Sequence, residues 1–281
     1  MAGTPSDMPF VRKDILIDGL ETSYLEAGSG DPVILLHGGE FGGEAEICWE
    51  ATIPALARHF RVLAPDLLGF GRTAKVVDFI DGRQRRLRHL ARFIEAMDAA
   101  GAPCVGNSMG GMLALFDAAS PVPLLRPGKI VSIAGGGALL MESPHTEALF
   151  DYDGSMAAMG KIVQALFHGE RWHRDEAYIA RRHAGSLLPG AWEAVAAARF
   201  RRPKALQDPR PQSGIAYARI ATDTLVIAGE QDKIKPSGWW EELTEQMGSA
   251  HAIIVPEAGH CPQIEQPDIV NRALVDFLRA D

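Results

Sequence analysis

Cysteine is scarce in this chain of 281 residues, which contains only Cys48, Cys104 and Cys261. Three cysteines are too few for the disulfide framework of a small secreted domain, and they favour a reducing compartment. Long hydrophobic runs are also missing, since none approaches the roughly 18 apolar residues that a membrane span requires. The first ten residues, MAGTPSDMPF, contain no apolar core of a secretory signal. The sequence therefore predicts a cytoplasmic protein that does not enter a membrane.

An excess of positive charge is missing too. The 28 Lys and Arg residues are outnumbered by 36 Asp and Glu residues, which gives a formal net charge of -8. This balance offers no broad electrostatic footprint for nucleic acid or for an anionic membrane, so we expect neither as a partner. What the chain does have is 47% hydrophobic residues, enough for a substantial core in a globular protein. Whether it forms a homo-oligomer stays open at this stage.

Short apolar runs alternate with helical patterns along most of the chain. The stretch DILIDGLETSYLEAG predicts two strands joined at Asp18-Gly19, a dipeptide that tolerates positive φ in a hairpin turn. Continuous apolar runs are typical of strands that are buried on both faces. Five such runs follow: PVILLHGG, RVLAPD, KIVSIAG, DTLVIAG and AHAIIVPE. The alternation predicts an α/β fold with a mostly parallel central sheet that is covered by helices on both faces.

One region interrupts this alternation. Residues 141–212 contain no convincing strand and are rich in alanine, arginine and aromatic residues. We interpret them as a helical insertion between a first part of the core, residues 1–140, and a second part, residues 213–281. Because an insertion at the carboxyl ends of sheet strands lies where open α/β sheets bind ligands, we expect it to form a lid.

The stretch CVGNSMGGML sets Ser108 between Gly106 and Gly110. A Gly-X-Ser-X-Gly pattern can be a chance turn, so its surroundings matter. A short apolar strand precedes it and a helical pattern follows, which is the setting of a nucleophile elbow. In such an elbow the glycines relieve a strained strand-to-helix turn, and the hydroxyl projects from the top of the sheet. We therefore predict that Ser108 is a nucleophile.

A serine hydroxyl is a weak nucleophile at neutral pH and needs a base that an acid orients. Asp232, in TLVIAGEQDKIKP, and His260, in IIVPEAGHCPQIEQP, each follow a late predicted strand. Their order after Ser108 is the one that completes a Ser-Asp-His triad in this kind of fold. Glu230 and Glu257 are rival acids, but each lies closer to its strand. A helix-capping role for Asp232 and a surface-loop role for His260 are the alternatives.

Two backbone N-H groups are predicted to hold the oxyanion that forms during the reaction. Met109 begins the helix after Ser108, and Gly39 lies in the loop of VILLHGGEFGG. The missing side chains of that loop let its backbone approach a substrate oxygen. His37, in the same loop, is interpreted as a structural residue. No metal-ligand spacing or phosphate-binding loop occurs, so we expect no cofactor.

Over essentially its whole length the chain resembles the α/β-hydrolases, and more narrowly the meta-cleavage product hydrolases. The resemblance is carried by the stretches LETSYLEAGSGDPVILLHGG, IPALARHFRVLAPDLLGFGRTAK, RLRHLARFIEAM and GNSMGG. It implies an α/β-hydrolase fold with a helical lid insertion. It also implies a small-molecule substrate, a 2-hydroxy-6-oxo-hexa-2,4-dienoate formed by extradiol ring cleavage, in which a carbon-carbon bond is hydrolysed.

The same resemblance implies the residues that contact such a substrate. The family's lid arginine, which meets the substrate carboxylate or dienolate, matches Arg182 in YIARRHAG, with Arg181 as the neighbouring candidate. A bidentate guanidinium suits a planar anion, and a solvated lid arginine is the alternative. The resemblance assigns further substrate contacts to Gly38, Cys48, Trp49, Asn107 and Cys261.

Three positions differ from the usual family pattern. Cys261 follows the histidine, where the family usually has tryptophan, and Cys48 stands where asparagine usually precedes Trp49. Glu40 replaces the third glycine of the early loop. Two enzymatic interpretations therefore stay open, a carbon-carbon hydrolase acting on a vinylogous 1,5-diketone and a carboxylesterase or related acyl hydrolase. A non-enzymatic ligand binder is disfavoured by the intact triad, and a haloalkane dehalogenase would need aspartate at position 108.

Overall fold

The computed structural model describes residues 10–79, 81–197 and 214–280. Its strands are β1 Val11–Ile17, β2 Leu20–Ala27, β3 Pro32–Leu36, β4 Arg61–Pro65, β5 Cys104–Asn107, β6 Lys129–Ile133, β7 Asp223–Gly229 and β8 Ala250–Val255. These strands form one sheet in the order β1-β2-β4-β3-β5-β6-β7-β8. β2 pairs antiparallel with β1 and β4, and the remaining neighbours are parallel. The predicted hairpin turn is present, with φ values of 50° at Asp18 and 78° at Gly19.

Helices follow most of the parallel strands. They are α1 Ala45–Trp49, α2 Ile53–Leu56, α3 Gly82–Ala96, α4 Met109–Ala118, α5 Pro144–Phe150, α6 Met156–Leu166, α7 Glu170–His173, α8 Glu176–Ser186, α9 Ala191–Ala197, α10 Trp239–Gln246, α11 Pro262–Glu265 and α12 Pro267–Arg279. None of the described helices combines the length and apolar character that crossing a membrane requires. The predicted α/β class with a mostly parallel sheet is confirmed.

Successive residues of β3 belong to two different hydrophobic clusters. Ile34 and Leu36 share a cluster with residues of α3 and α4, whereas Val33 and Leu35 share one with residues of α1, α2 and α12. All four side chains are completely buried. Because side chains alternate between the two faces of a strand, both faces of the sheet are covered. This explains why the strand has a continuous apolar sequence instead of an alternating one.

Between β6 and β7 the described residues form helices α5 to α9 and a short 3-10 helix, Tyr217–Arg219. This is the region of the predicted insertion, residues 141–212. Residues 198–212 of that range lie outside the described residues, as do residues 1–9 of the first core part. The two boundaries between the parts and the function as a lid therefore stay predictions.

The helical segment contacts the core close to the carboxyl ends of the strands. The carbonyl of Leu166, at the end of α6, accepts a hydrogen bond of 2.7 Å from the N-H of His260. On the other side, the carbonyl of Arg182 lies against Gly42, which has a φ of 72° and no room for a Cβ atom. The segment therefore touches the loops after β8 and β3, which flank Ser108.

Glu265, in α11, forms hydrogen bonds to both the helical segment and the loop that carries His260. One of its carboxylate oxygens accepts hydrogen bonds from the N-H groups of His168 and Gly169, at 2.9 and 2.8 Å. The other accepts from the N-H of Gly259, at 2.5 Å. A single buried carboxylate thus joins the turn after α6 to the residue that precedes His260.

Candidate active site

Ser108 lies at the sharp turn between β5 and α4, with a φ of 50° and a ψ of -112°. A positive φ is unusual for a residue with a side chain, and it marks a strained backbone that the surroundings hold in place. A Cβ atom on Gly106 would collide with the backbone of Gly110 and Gly111, and one on Gly110 would collide with the carbonyl of Leu36. The two glycines of the motif are therefore required by close backbone approaches, as the elbow geometry predicts.

Ser108, His260 and Asp232 form one hydrogen-bonded chain. His260 Nε2 lies 2.8 Å from Ser108 Oγ, and His260 Nδ1 lies 2.7 Å from Asp232 Oδ2. An ionised carboxylate can only accept, so the Nδ1 atom donates to Asp232 and Nε2 is left to accept from the serine hydroxyl. This is the tautomer that a general base needs in order to take the serine proton.

The electrostatics of Asp232 suit its position in this chain. Burial raises the pKa of this carboxyl group, but His260, the N-H of Ile234 and Lys235 together outweigh it, so the pKa of Asp232 is lower than its ordinary value. The N-H of Ile234 also donates to this carboxylate, at 3.0 Å. The rival acids Glu230 and Glu257 are exposed, and His260 is paired with Asp232.

The loop after β3 approaches the beginning of α4. A Cβ atom on Gly39 would lie 2.7 Å from Met109 Sδ and 3.0 Å from Met109 Cβ, so the two residues predicted to hold an oxyanion are in contact. His37 supports this loop from below: it accepts a hydrogen bond of 2.9 Å from the N-H of Leu67 through Nε2 and donates one of 2.7 Å to the carbonyl of Gly38 through Nδ1. Burial lowers the pKa of His37, which keeps it neutral in this structural position.

Asn107 connects the elbow with both cysteines of the site. Its Nδ2 donates to the carbonyls of Ile133 and His260, each at 3.2 Å. Its Oδ1 faces the thiols of Cys48 and Cys261, each at 3.9 Å. Burial raises the pKa of both thiols, so they are neutral weak donors. The structure thus brings together three of the residues that the family resemblance assigned to the substrate.

Arg182 is completely enclosed, with only 1% of its surface exposed. Its Nη2 donates to Glu40 Oε1 at 2.5 Å and its Nη1 donates to the hydroxyl of Tyr178 at 3.1 Å. Its Nε has no hydrogen-bond partner among the described residues. Glu40 in turn lies over Gly38, where a Cβ atom would collide with Glu40 Oε2 and lie 3.3 Å from Asn107 Oδ1. The guanidinium therefore lies beside the elbow, and a solvated arginine is excluded. We call the buried surface at this place the wall; it is formed by Glu40, Cys48, Asn107, Tyr178, Arg182, Cys261 and Gln263.

Arg181, the neighbouring candidate, points away from this wall. Its side chain is 46% exposed and pairs with Glu50, with Nη2 2.8 Å from Glu50 Oε2. Trp49 is fully buried in the hydrophobic cluster that contains Val33 and Leu35. Its indole Nε1 has no hydrogen-bond partner in the described part of the chain. A substrate contact of Trp49 stays a prediction.

Three residues of this wall were not among the predicted substrate contacts. In the sequence, Glu40 stands out only because it replaces a glycine of the family pattern, and nothing in the sequence pairs it with Arg182. Tyr178 precedes Arg182 by four residues, so both lie on one face of α8, and this helical spacing is the signal that could have found it. Gln263 donates to Cys48 Sγ at 3.5 Å and is fully buried. Within the described ranges, no group of three or more His, Cys, Asp or Glu residues is arranged to hold a metal ion.

Comparison with known proteins identifies the family. Residues 33–273 match the alpha/beta hydrolase family. The chain is 34% identical to a 2-hydroxy-6-oxo-6-(2'-aminophenyl)hexa-2,4-dienoic acid hydrolase of Metapseudomonas resinovorans, over 98% of this chain and 94% of the relative. It is 29% identical to a 2-hydroxy-6-oxo-2,4-heptadienoate hydrolase of Pseudomonas putida, over 96% of this chain and 97% of the relative.

A solved structure agrees with these relatives. The crystal structure of a serine hydrolase involved in carbazole degradation is 33% identical and superposes with a TM-score of 0.80, covering 96% of this chain and 98% of the other. Both the fold and the family predicted from the sequence are confirmed. The chain therefore belongs to the α/β-hydrolase family and, within it, to the meta-cleavage product hydrolases, which makes it an enzyme.

Proposed function

We propose that the protein hydrolyses a carbon-carbon bond in a 2-hydroxy-6-oxo-hexa-2,4-dienoate, with Ser108 as nucleophile, His260 as base and Asp232 as its orienting acid. The observation that carries this proposal is the buried Arg182 in the same wall as Asn107, next to the hydrogen-bonded chain of these three residues. A buried cation with an unpartnered Nε among the described residues suits an anionic substrate. The relative from Metapseudomonas resinovorans is named for a substrate of this class.

The reaction begins with ketonisation of the substrate, in which the hydroxyl group at C2 gives up its proton and becomes a carbonyl group while C5 gains a proton. Arg182 binds the carboxylate at C1, and the ketone at C6 lies over Ser108. The serine oxygen attacks C6 while its proton passes to His260 Nε2. The N-H groups of Gly39 and Met109 hold the oxygen that becomes negative.

The tetrahedral intermediate then collapses by breaking the bond between C5 and C6. The electron pair of that bond moves through the conjugated chain to the oxygen at C2, which gives a dienolate that Arg182 stabilises and His260 protonates. The acyl group stays on Ser108 until a water molecule, deprotonated by His260, attacks it. The bond between C6 and Ser108 Oγ then breaks, His260 returns the proton to the serine oxygen, and a carboxylic acid is released. Each proton taken by His260 is thus returned in the same half-reaction.

A carboxylesterase activity is the second candidate, and one observation favours it. Glu40 neutralises Arg182 in the free enzyme, so the wall beside the elbow carries no net charge and accepts a neutral ester as well. The same three residues would perform ester hydrolysis without a dienolate intermediate. Cys261 and Cys48 also change this wall, because the family usually has tryptophan and asparagine at these positions.

A substrate panel tests the proposal directly. Turnover of several ring-cleavage dienoates, followed by loss of their visible absorbance, is compared with turnover of p-nitrophenyl esters of matching acyl groups. We expect at least one dienoate to have a kcat/KM that exceeds those of all the esters. Efficient ester hydrolysis without dienoate turnover would replace the proposal with the second candidate.

A further inference from the structure

Arg182 and Glu40 form a buried ion pair. Their side chains are only 1% and 10% exposed, and Arg182 Nη2 lies 2.5 Å from Glu40 Oε1. The carboxylate belongs to the loop after β3 and the guanidinium to α8, so the pair is made between the core and the helical segment. In the family pattern the Glu40 position carries glycine, so this pairing is a feature of the present chain.

The other titratable groups that face Glu40 carry no charge at neutral pH. They are His37, Cys48, Tyr178 and Cys261. Burial lowers the pKa of the histidine and raises the pKa of the two thiols and of the phenol, which favours the neutral form of each. Of these groups together with Arg182 and Glu40, only the guanidinium and the carboxylate are thus charged.

A dienoate that binds Arg182 brings a second carboxylate to the same cation. The Nε of Arg182 is buried and unpartnered among the described residues, so a donor is available before Glu40 has moved. Two carboxylates that share one guanidinium in a site closed to water cannot both stay ionised without a large electrostatic cost. Protonation of one of the two carboxylates removes this cost.

We infer that Glu40 takes up a proton when a dienoate binds, and that it thereby makes the binding of anionic substrates dependent on that proton. This inference rests on the proposed function, because it requires a substrate carboxylate at Arg182. A neutral ester brings no second charge and takes up no proton. Glu40 is in this sense a specificity-determining residue, which sets how strongly the site distinguishes an anion from an ester at a given pH.

The direction of the pH dependence follows from the pKa of Glu40 in the two states. Without substrate, burial opposes ionisation, but the interactions of the carboxylate, chiefly those with Arg182, together outweigh it and hold the pKa of Glu40 below its ordinary value. In the complex, the shared cation and the added negative charge raise that pKa. At any pH between the two pKa values, binding takes up close to one proton, and the Kd of the dienoate rises about tenfold for each unit of pH.

Calorimetry of the Ser108→Ala variant tests this inference without turnover. The probe is 2-hydroxy-6-oxo-6-phenylhexa-2,4-dienoate, the substrate for which one relative is named, titrated at several pH values in buffers of different ionisation enthalpy. We expect uptake of close to one proton per site and a Kd that rises with pH. The Ser108→Ala/Glu40→Gln double variant should take up close to one proton fewer than Ser108→Ala, and its Kd should rise correspondingly less over the same range.

Glu50→Gln is the matched control in the Ser108→Ala background. It removes the carboxylate of the exposed pair with Arg181 on the same helix, so it should keep the full proton uptake. The hydroxyl group of the dienoate contributes equally to all variants, so their difference isolates Glu40. Glu40→Asp keeps a carboxyl group and should retain the uptake, which gives a second test if the glutamine variant does not fold.

The possible failures are distinguishable. Binding of the dienoate to the Ser108→Ala variant without proton uptake overturns the inference alone, as does an uptake that is undiminished in the folded Glu40→Gln variant. If the dienoate does not bind while the wild-type enzyme hydrolyses p-nitrophenyl esters, the proposed function is wrong and the inference falls with it.

Discussion

Ser108 Oγ and His260 Nε2 lie 2.8 Å apart although 152 positions separate them in the chain. We expect Ser108→Ala to lower kcat more than a hundredfold, a change in activation free energy of at least about 2.7 kcal/mol. The variant should fold normally, because the hydroxyl is partly exposed and its loss opens no cavity in the core. Steady-state kinetics on the best substrate and thermal unfolding together check this.

Ser120→Ala is a suitable control, since Ser120 lies just after the far end of α4 from Ser108. It should leave kcat unchanged. A Ser108→Ala protein that keeps more than a hundredth of the wild-type kcat would rule out nucleophilic catalysis by Ser108.

The adjacent arginines of α8 allow a matched comparison of a buried and an exposed guanidinium. Arg182→Ala should lower kcat/KM for a dienoate about a hundredfold, the scale of about 3 kcal/mol for a lost charge-assisted hydrogen bond. It should change kcat/KM for a p-nitrophenyl ester far less. Arg181→Ala should affect neither substrate, because its pair with Glu50 is exposed and contributes little.

Equal losses on both substrates would instead identify Arg182 as a structural residue. Thermal unfolding should be measured alongside, because Arg182→Ala leaves Glu40 as an unpaired buried charge and such a loss costs about 3 to 5 kcal/mol. Combining Arg182→Ala with Glu40→Gln restores the charge balance and separates this destabilisation from the effect on catalysis.

Cys261→Trp should lower activity on the native substrate. Cys261 is only 2% exposed and its thiol faces Asn107, so an indole at this position must displace neighbouring side chains. Overpacking of this kind typically costs about 1 to 3 kcal/mol of stability. Kinetics and unfolding of the variant check the expectation, and Cys261→Ala shows whether the thiol itself matters. Faster dienoate turnover by Cys261→Trp would contradict it and would mean that the wall retains space for the family's usual residue.

Lys235 should make stability depend on pH in alkaline solution. The side chain is 5% exposed, donates to the carbonyl of Gly136 and lies over the ring of Trp239. Burial lowers the pKa of Lys235 to about 8, against partial opposition from Asp232, compared with 10.5 for a free lysine. Between these values the unfolded chain binds more protons than the folded one, so the free energy of unfolding rises with pH in that range.

The rise attributable to Lys235 is about 3 kcal/mol from below pH 8 to above pH 10.5. Because other groups titrate there as well, the measurement is the difference between wild type and Lys235→Met in urea unfolding at each pH. Methionine keeps the apolar stem and removes the charge. A difference that stays constant over this range would show that the pKa of Lys235 is not lowered in the folded protein.

The hydrogen-bonded arrangement of Ser108, His260 and Asp232 could be predicted from the sequence because each of these residues follows its own strand. The apolar runs before Ser108, Asp232 and His260 are strong signals, and parallel strands deliver their carboxyl ends to one edge of the sheet. The same rule placed Gly39 beside Met109. Local spacing and the order of the strands were sufficient for these positions, and no knowledge of packing between helices was needed.

The partner of Arg182 could not be predicted in this way. Glu40 belongs to the loop after β3 and Arg182 to α8, 142 positions later, and no periodic pattern connects a loop to a helix packed over it. The choice between Arg181 and Arg182 likewise depends on the rotation of α8 against the core. The burial of Trp49 could not be predicted either. Its place in the family pattern is clear from the sequence, but its position in the hydrophobic cluster that contains Val33 and Leu35 depends on how α1 packs.

The carboxylate of Glu265 has a consequence for motion. It accepts hydrogen bonds from His168 and Gly169 at the root of the helical segment and from Gly259 immediately before His260. The root of the segment and the loop that carries His260 are therefore mechanically coupled. An opening at this end would pull His260 away from Ser108, so substrate entry that keeps the enzyme ready to react must open the opposite end, where α8 rests on Gly42, while the root of the segment stays fixed.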